Sequence, residues 1–359
     1  MRALVTTFVM IAAVGLSAAV APFEQAAPAG TQAAGTWTAS RTREWPDDDG
    51  THRLQLNLDD GRGESRWGFG VRMRDLRGLS PAVLDGAAGD VRFELTRDPG
   101  TFHFTGSFDD GRGAGHYTFT PSTTYAAEMA RLGYGGLTIE DHLRLAALDI
   151  DLAYVRALAG AGYGREPLRM LIKMRIHGVT AEGIAALQGL GYRDLPASEL
   201  VKLRVHGATP AFIRDMASLG YRALPTREVI KFRIHGVSPA FVRALAAEGY
   251  REVPADDLVT FRIHGVTPAE IRELRALGYE ELSARDLVAM RIHGVTPAFI
   301  REMRDAGFTG LTADQLRRMR IHGVDATFVR HLAEDGHRGL SPEELIRVAI
   351  RGPQILRKQ

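Results

Sequence analysis

One histidine returns every 29 residues, at His177, His206, His235, His264, His293 and His322. A second marker keeps the same step: Tyr134, Tyr163, Tyr192, Tyr221, Tyr250 and Tyr279, with Phe308 and His337 continuing the slot. A fixed period with no insertions leaves little choice of fold. Every unit must be the same small supersecondary structure, and no unit of that size buries a core alone, so neighbours must stack.

Residues 266–294 show what the unit is. Thr267 has the hydroxyl of an N-cap, and Pro268 follows at the first helical position, where a missing N–H is no loss. Ile271, Leu274 and Leu277 form an apolar stripe, Gly278 stops the helix, and Tyr279 falls where a Schellman motif sets a hydrophobic residue against Leu274. Ser283-Ala284-Arg285-Asp286 reads as a capping box, with Val266 and Leu282 placed as staples ahead of the two caps. The second helix carries Leu287, Val288, Met290 and Ile292 as its apolar side, up to His293 and the stop at Gly294. Thr312-Ala313-Asp314-Gln315 and Ser341-Pro342-Glu343-Glu344 repeat the box. Each helix is about ten residues, near 15 Å, and too short to stand alone in water. Residues 122–350 are expected to form an α-solenoid of about eight 29-residue helix pairs, with atypical end units as caps and a basic tail over 351–359.

Upstream, over residues 36–121, the period changes to two. His52 to Leu58, Asp90 to Thr96, Thr101 to Phe108 and His116 to Phe119 alternate polar with apolar, as strands do when one face is buried. Asp59-Asp60-Gly61-Arg62-Gly63 and Asp109-Asp110-Gly111-Arg112-Gly113 supply hairpin turns. Neither loop has the alternating oxygen register of a calcium site. The expectation is a small antiparallel β-sandwich or partly closed barrel of about six strands, making the whole chain an α+β multidomain protein.

The first residues indicate destination. Met1 and Arg2 open the chain, Ala3 to Val20 are almost wholly apolar, and small residues follow, so residues 1–21 read as a signal peptide or, uncleaved, a membrane anchor. Residues 22–35, rich in Ala, Pro, Gly and Gln, read as a flexible linker. With no cysteine, disulfides and thiolate metal sites are excluded. The formal charge of +2 divides unevenly: 11 Lys+Arg stand against 14 Asp+Glu in residues 36–120, and 33 against 28 in residues 121–359. So thin a surplus is not the footprint of a nucleic-acid binder.

Three ladders are candidates for function. The histidines, one before each stop glycine, are expected to satisfy helix-end carbonyls. Equivalent residues on stacked helices lie about 8–10 Å apart. That is too far for two of them to share a zinc ion about 2 Å from each. Arg204, Arg233, Arg262, Arg291 and Arg320 fall inside the apolar arc of the second helix, Arg262 about 40° from Leu258, and need acceptors such as the helix-end carbonyls of the next unit. Arg214, Arg243, Arg272, Arg301 and Arg330 should face solvent, at regular intervals suited to an acidic partner. No zinc-peptidase, serine-hydrolase or phosphate-loop motif is present, so neither an enzyme nor a cofactor is expected.

The wording Arg-Ile-His-Gly-Val-Thr-Pro-Ala-Phe-Ile-Arg at residues 291–301 resembles a helical repeat of bacterial exported and membrane proteins. Some of these lie beside, or are fused to, antirepressor-type membrane zinc peptidases of the beta-lactam-sensor kind. The likeness covers residues 125–350, and the units also look like the α-solenoids of tetratricopeptide and HEAT type. The chain departs from the peptidase in lacking His-Glu-x-x-His and multiple membrane spans. The resemblance implies a sensing or scaffolding role outside the cytoplasm. The expected protein is a periplasmic or secreted scaffold that binds a protein or peptide partner, without nucleic acid, metal or cofactor. The alternative is a carbohydrate sensor reading through the β domain by Trp45, Trp67, Phe102 and Phe104.

Overall fold

The computed structural model describes residues 32–41, 53–60 and 66–354 of the 359-residue chain. The leader-like segment 1–21 and residues 355–359 of the tail lie outside the described residues. Two compact units divide at Asp151 and Leu152.

The first unit holds β1 (Ala33–Arg41), β2 (Arg53–Asp59), β3 (Arg66–Arg72), β4 (Leu76–Arg77), β5 (Gly89–Arg97), β6 (Gly100–Asp109) and β7 (Arg112–Pro121). They form one curled antiparallel sheet in the order β3-β2-β1-β7-β6-β5-β4, a half-barrel rather than two packed sheets. Alternation explains the curl's interior: Leu54, Leu56 and Leu58 of β2 and Phe102, Phe104 and Phe108 of β6 are fully buried, while their sequence neighbours face out. Trp37 meets Phe93 and Phe104 edge-on, at 5.3 and 5.9 Å between ring centres. Asp110 and Gly111 take φ of 46° and 71°, the left-handed pair that a two-residue hairpin between β6 and β7 requires. Residues 22–31 of the expected linker lie outside the described residues, and its last three residues belong to β1. Ala33, Ala34 and Gly35 already pair with Phe119, Thr118 and Tyr117, because backbone pairing needs no apolar side chain.

The first helix pair, α1 (Thr123–Arg131) and α2 (Ile139–Ala147), belongs to this unit. Leu143, Ala146 and Ala147 of α2 complete the sheet's core. Arg97 donates through Nη1 to the carbonyls of Ala146 and Ala147 at 2.5 and 3.0 Å. His142 Nδ1 lies 2.9 Å from the Pro99 carbonyl.

The second unit repeats one helix pair seven times among the described residues. Its leading helices are α3 (Leu152–Leu158), α5 (Ala181–Gly189), α7 (Pro210–Ser218), α9 (Pro239–Ala247), α11 (Pro268–Ala276), α13 (Pro297–Asp305) and α15 (Ala326–Glu334). The trailing helices are α4 (Leu168–Ile176), α6 (Ala197–Val205), α8 (Thr226–Ile234), α10 (Ala255–His264), α12 (Ala284–Ile292), α14 (Ala313–Ile321) and α16 (Pro342–Arg351). Leading helices pack on leading helices (α5 on α7, α7 on α9) and trailing on trailing (α10 on α12, α12 on α14), giving two parallel rows.

The caps are those the sequence signals. Thr267 Oγ1 accepts from the Glu270 amide at 3.2 Å, and Ser283 with Asp286, Thr312 with Gln315 and Ser341 with Glu344 close reciprocal capping boxes. Tyr279 and Val295 amides reach back to the Leu274 and Met290 carbonyls at 3.0 and 2.8 Å, closing the Schellman turns. Both helices of a unit follow one plan. Ser283, Leu287, Met290, Arg291, Gly294 and Val295 recur as Thr296, Ile300, Met303, Arg304, Gly307 and Phe308. Leu287, Met290, Ile300 and Met303 are all buried. Each such side chain taken fully from water contributes about 1.5–3 kcal/mol, a gain available only once a neighbouring unit covers it.

Candidate functional site

Two hydrogen bonds of opposite direction sew four successive seams between repeats, and the seam crossed by Tyr279 has the forward one. Running backward, Arg204, Arg233, Arg262 and Arg291 donate through Nε to the carbonyls of His177, His206, His235 and His264 at 3.2–3.4 Å. The acceptor belongs to the preceding unit, not the next, because the side chain of a helical residue leans toward the N-terminal end of its helix. The guanidinium then lies over a ring of its own unit: Arg233 over Phe212 and Arg262 over Phe241 at 5.0 Å, Arg320 over Phe299 at 4.8 Å. In the unit of Arg291 the ring is replaced by Glu270, whose carboxylate meets Arg291 Nη1 at 3.3 Å. Burial nonetheless pushes the Glu270 carboxyl above the ordinary range, outweighing the neighbouring cation.

Running forward, the Tyr163, Tyr192, Tyr221, Tyr250 and Tyr279 hydroxyls donate to the carbonyls of Leu195, Leu224, Val253, Leu282 and Leu311 at 2.6–2.7 Å. Sequence reasoning placed these tyrosines in their turns but missed the bond. The signal was the phenol itself: a turn needing only a hydrophobe takes Phe equally well, as Phe308 shows. The last seam has neither bond's donor, since Phe308 and Ala349 occupy the two donor positions there.

At the histidine ladder it is the main chain that works. Among the described residues the carbonyls accept from arginine, and no ring hydrogen bond joins the ladder histidines. The stop glycines gain a second role beside their left-handed φ. A Cβ on Gly236 would sit 2.9 Å from Arg262 Nη2, and one on Gly265 3.4 Å from Arg291 Nη2. Among the described residues no group of histidines and carboxylates is arranged to hold a metal ion.

The stripe of Arg214, Arg243, Arg272, Arg301 and Arg330 lies on the solvent side of the leading row, all five exposed. It is not uniform. Arg272 pairs with the buried Glu248 at 2.6 Å, and Arg301 with Glu273 at 2.6 Å, each reaching into the preceding unit. Arg275 also donates to the Glu248 carbonyl, as Arg304 does to that of Leu277, repeating in the leading row the clamp of the trailing row.

A further ladder contradicts the helical-wheel expectation for the trailing helix. Ile176, Val205, Ile234, Ile263, Ile292, Ile321 and Ile350 are 50% to 58% exposed, one per unit. At about 100° per residue Ile263 lies some 200° from Phe261, on the opposite face, so the wheel itself contains the correction. Lys173, Lys202, Lys231, Arg318 and Arg347 stand three residues before members of this rail and share its face.

In the β unit Phe102 and Phe104 are buried to the last atom, Trp67 lies under Arg144 at 4.8 Å, and Trp45 falls outside the described residues. Core packing accounts for both phenylalanines. Comparison with known proteins finds no matching family model and no matching curated relative.

Proposed function

We propose that the helical unit is a non-enzymatic scaffold that holds a polypeptide partner along the isoleucine rail, and that the protein works outside the cytoplasm in envelope sensing. One observation carries this reading: seven β-branched side chains, one per unit and each at least half exposed, form a line on the surface. Scattered exposed hydrophobes need no explanation, but an apolar row repeated at the period of the fold is the mark of a binding surface. Lys202 and Lys231 are already paired with Glu199 and Asp256 at 2.6 and 2.8 Å, and the flanking Lys173, Arg318 and Arg347 favour a partner that offers acidic side chains beside apolar ones. The leader-like residues 1–21 and the resemblance of the repeat support the location.

A photocrosslinker at Ile263 of the full chain, in periplasmic extract, is expected to give a discrete adduct. That adduct should disappear in an Ile234→Ser, Ile292→Ser background whose circular dichroism is unchanged. An adduct indifferent to those changes, or none, sinks the rail. Changing all five stripe arginines to alanine tests the other face, and equal recovery of the partner removes that stripe from the site.

A further inference from the structure

The unit of residues 181–209 has no side chain at the slot that faces the clamp arginine. Where Phe212, Phe241 and Phe299 set a ring under the guanidinium of their own unit, the corresponding residue is Gly183. Those three rings are 4% to 8% exposed, so each fills an interior space. In the Gly183 unit that space is left as a cavity of about 140 Å³, walled by Gly183, Ile184, Leu187, Leu200, Leu203 and Arg204 among others. A Cβ on Gly183 would meet nothing closer than Thr180 Oγ1 at 3.4 Å, so the room begins at the backbone. Arg204 is anchored as its counterparts are, with Nε on the His177 carbonyl at 3.2 Å.

We propose that this gap is a binding site for one aromatic ring, supplied from outside where the other units supply their own. The apolar walls Ile184, Leu187, Leu200 and Leu203 are buried, the mouth is open beside Arg204, and an apolar space of about 150 Å³ is enough to accept benzene. The volume fits a six-membered ring. Arg204 provides the face contact that Arg233 and Arg262 make with Phe212 and Phe241. The chemistry is that of an uncharged phenyl group, carried by a small molecule or by a phenylalanine side chain. It does not depend on the isoleucine rail.

Fluorine NMR of fluorobenzene with the full chain tests it, with N-acetylphenylalaninamide as competitor. Saturable one-to-one binding is expected, absent in Gly183→Phe, whose melting temperature should rise because its own ring now fills the slot. Phe212→Gly should open a second site and double the stoichiometry. Arg204→Met should weaken binding about two- to thirtyfold while leaving the cavity apolar. Displacement by the amide identifies a slot open to side chains, and failure of displacement identifies one for free small aromatics. No saturable binding, or binding that survives in folded Gly183→Phe, overturns the assignment.

Discussion

Gly265 shows how one missing methyl group serves two ends. Its φ of 72° disfavours any L side chain, and the Arg291 guanidinium closes over the space a Cβ would take, Nη2 at 3.4 Å. Gly265→Ala is expected to cost about 1 kcal/mol or more, read as a melting temperature lower by about 2–4 °C for each kcal/mol. Gly236→Ala should cost more, because Arg262 Nη2 would stand only 2.9 Å away and is held by the His235 carbonyl and the Phe241 ring. Equal melting temperatures for the two variants would show that the guanidinium yields freely. From sequence only the left-handed turn was legible. The second constraint arises between units, 26 residues apart in the chain.

At the scale of the helix, what could be read was what acts locally. Caps, stops and Schellman turns depend on residues within one turn of each other, and Thr267, Ser283, Gly278 and Gly294 all sit as their spacing implies. Contacts that cross a seam were hidden. The direction of the arginine clamp, the tyrosine bond and the outward face of Ile263 depend on where the neighbouring unit lies. The tyrosine bond also makes the seam sensitive to alkali. Burial raises the phenol pKa above 10.0 at Tyr163, Tyr192, Tyr221, Tyr250 and Tyr279, and to about 12 at Tyr154, whose hydroxyl meets the Val179 carbonyl at 3.0 Å. A raised pKa means the folded chain keeps the proton longer than the unfolded one. Its stabilising effect is therefore complete below 10.0 and lost as pH climbs through the raised values. Tyr221→Phe, Tyr250→Phe should flatten this alkaline loss of melting temperature, and a slope identical to that of the parent chain would refute the assignment.

Across the whole repeat unit, stability is a sum of pairwise joints, so the poorest joint decides where opening starts. Phe308 has no hydroxyl to offer the last pair, and Ala349 stands where the other trailing helices place arginine, although Phe328 and the His322 carbonyl occupy the positions that would receive one. Hydrogen exchange should accordingly be fastest in α15 and α16. Phe308→Tyr, Ala349→Arg should slow it toward the rate of the interior pairs, and unchanged exchange in the variant would show that packing alone governs the end. The molecule thus has a built-in loose thread. On this expectation the pair of α15 and α16 opens before the interior pairs, and a partner lying across several pairs would hold it in place as a seam tape does a hem.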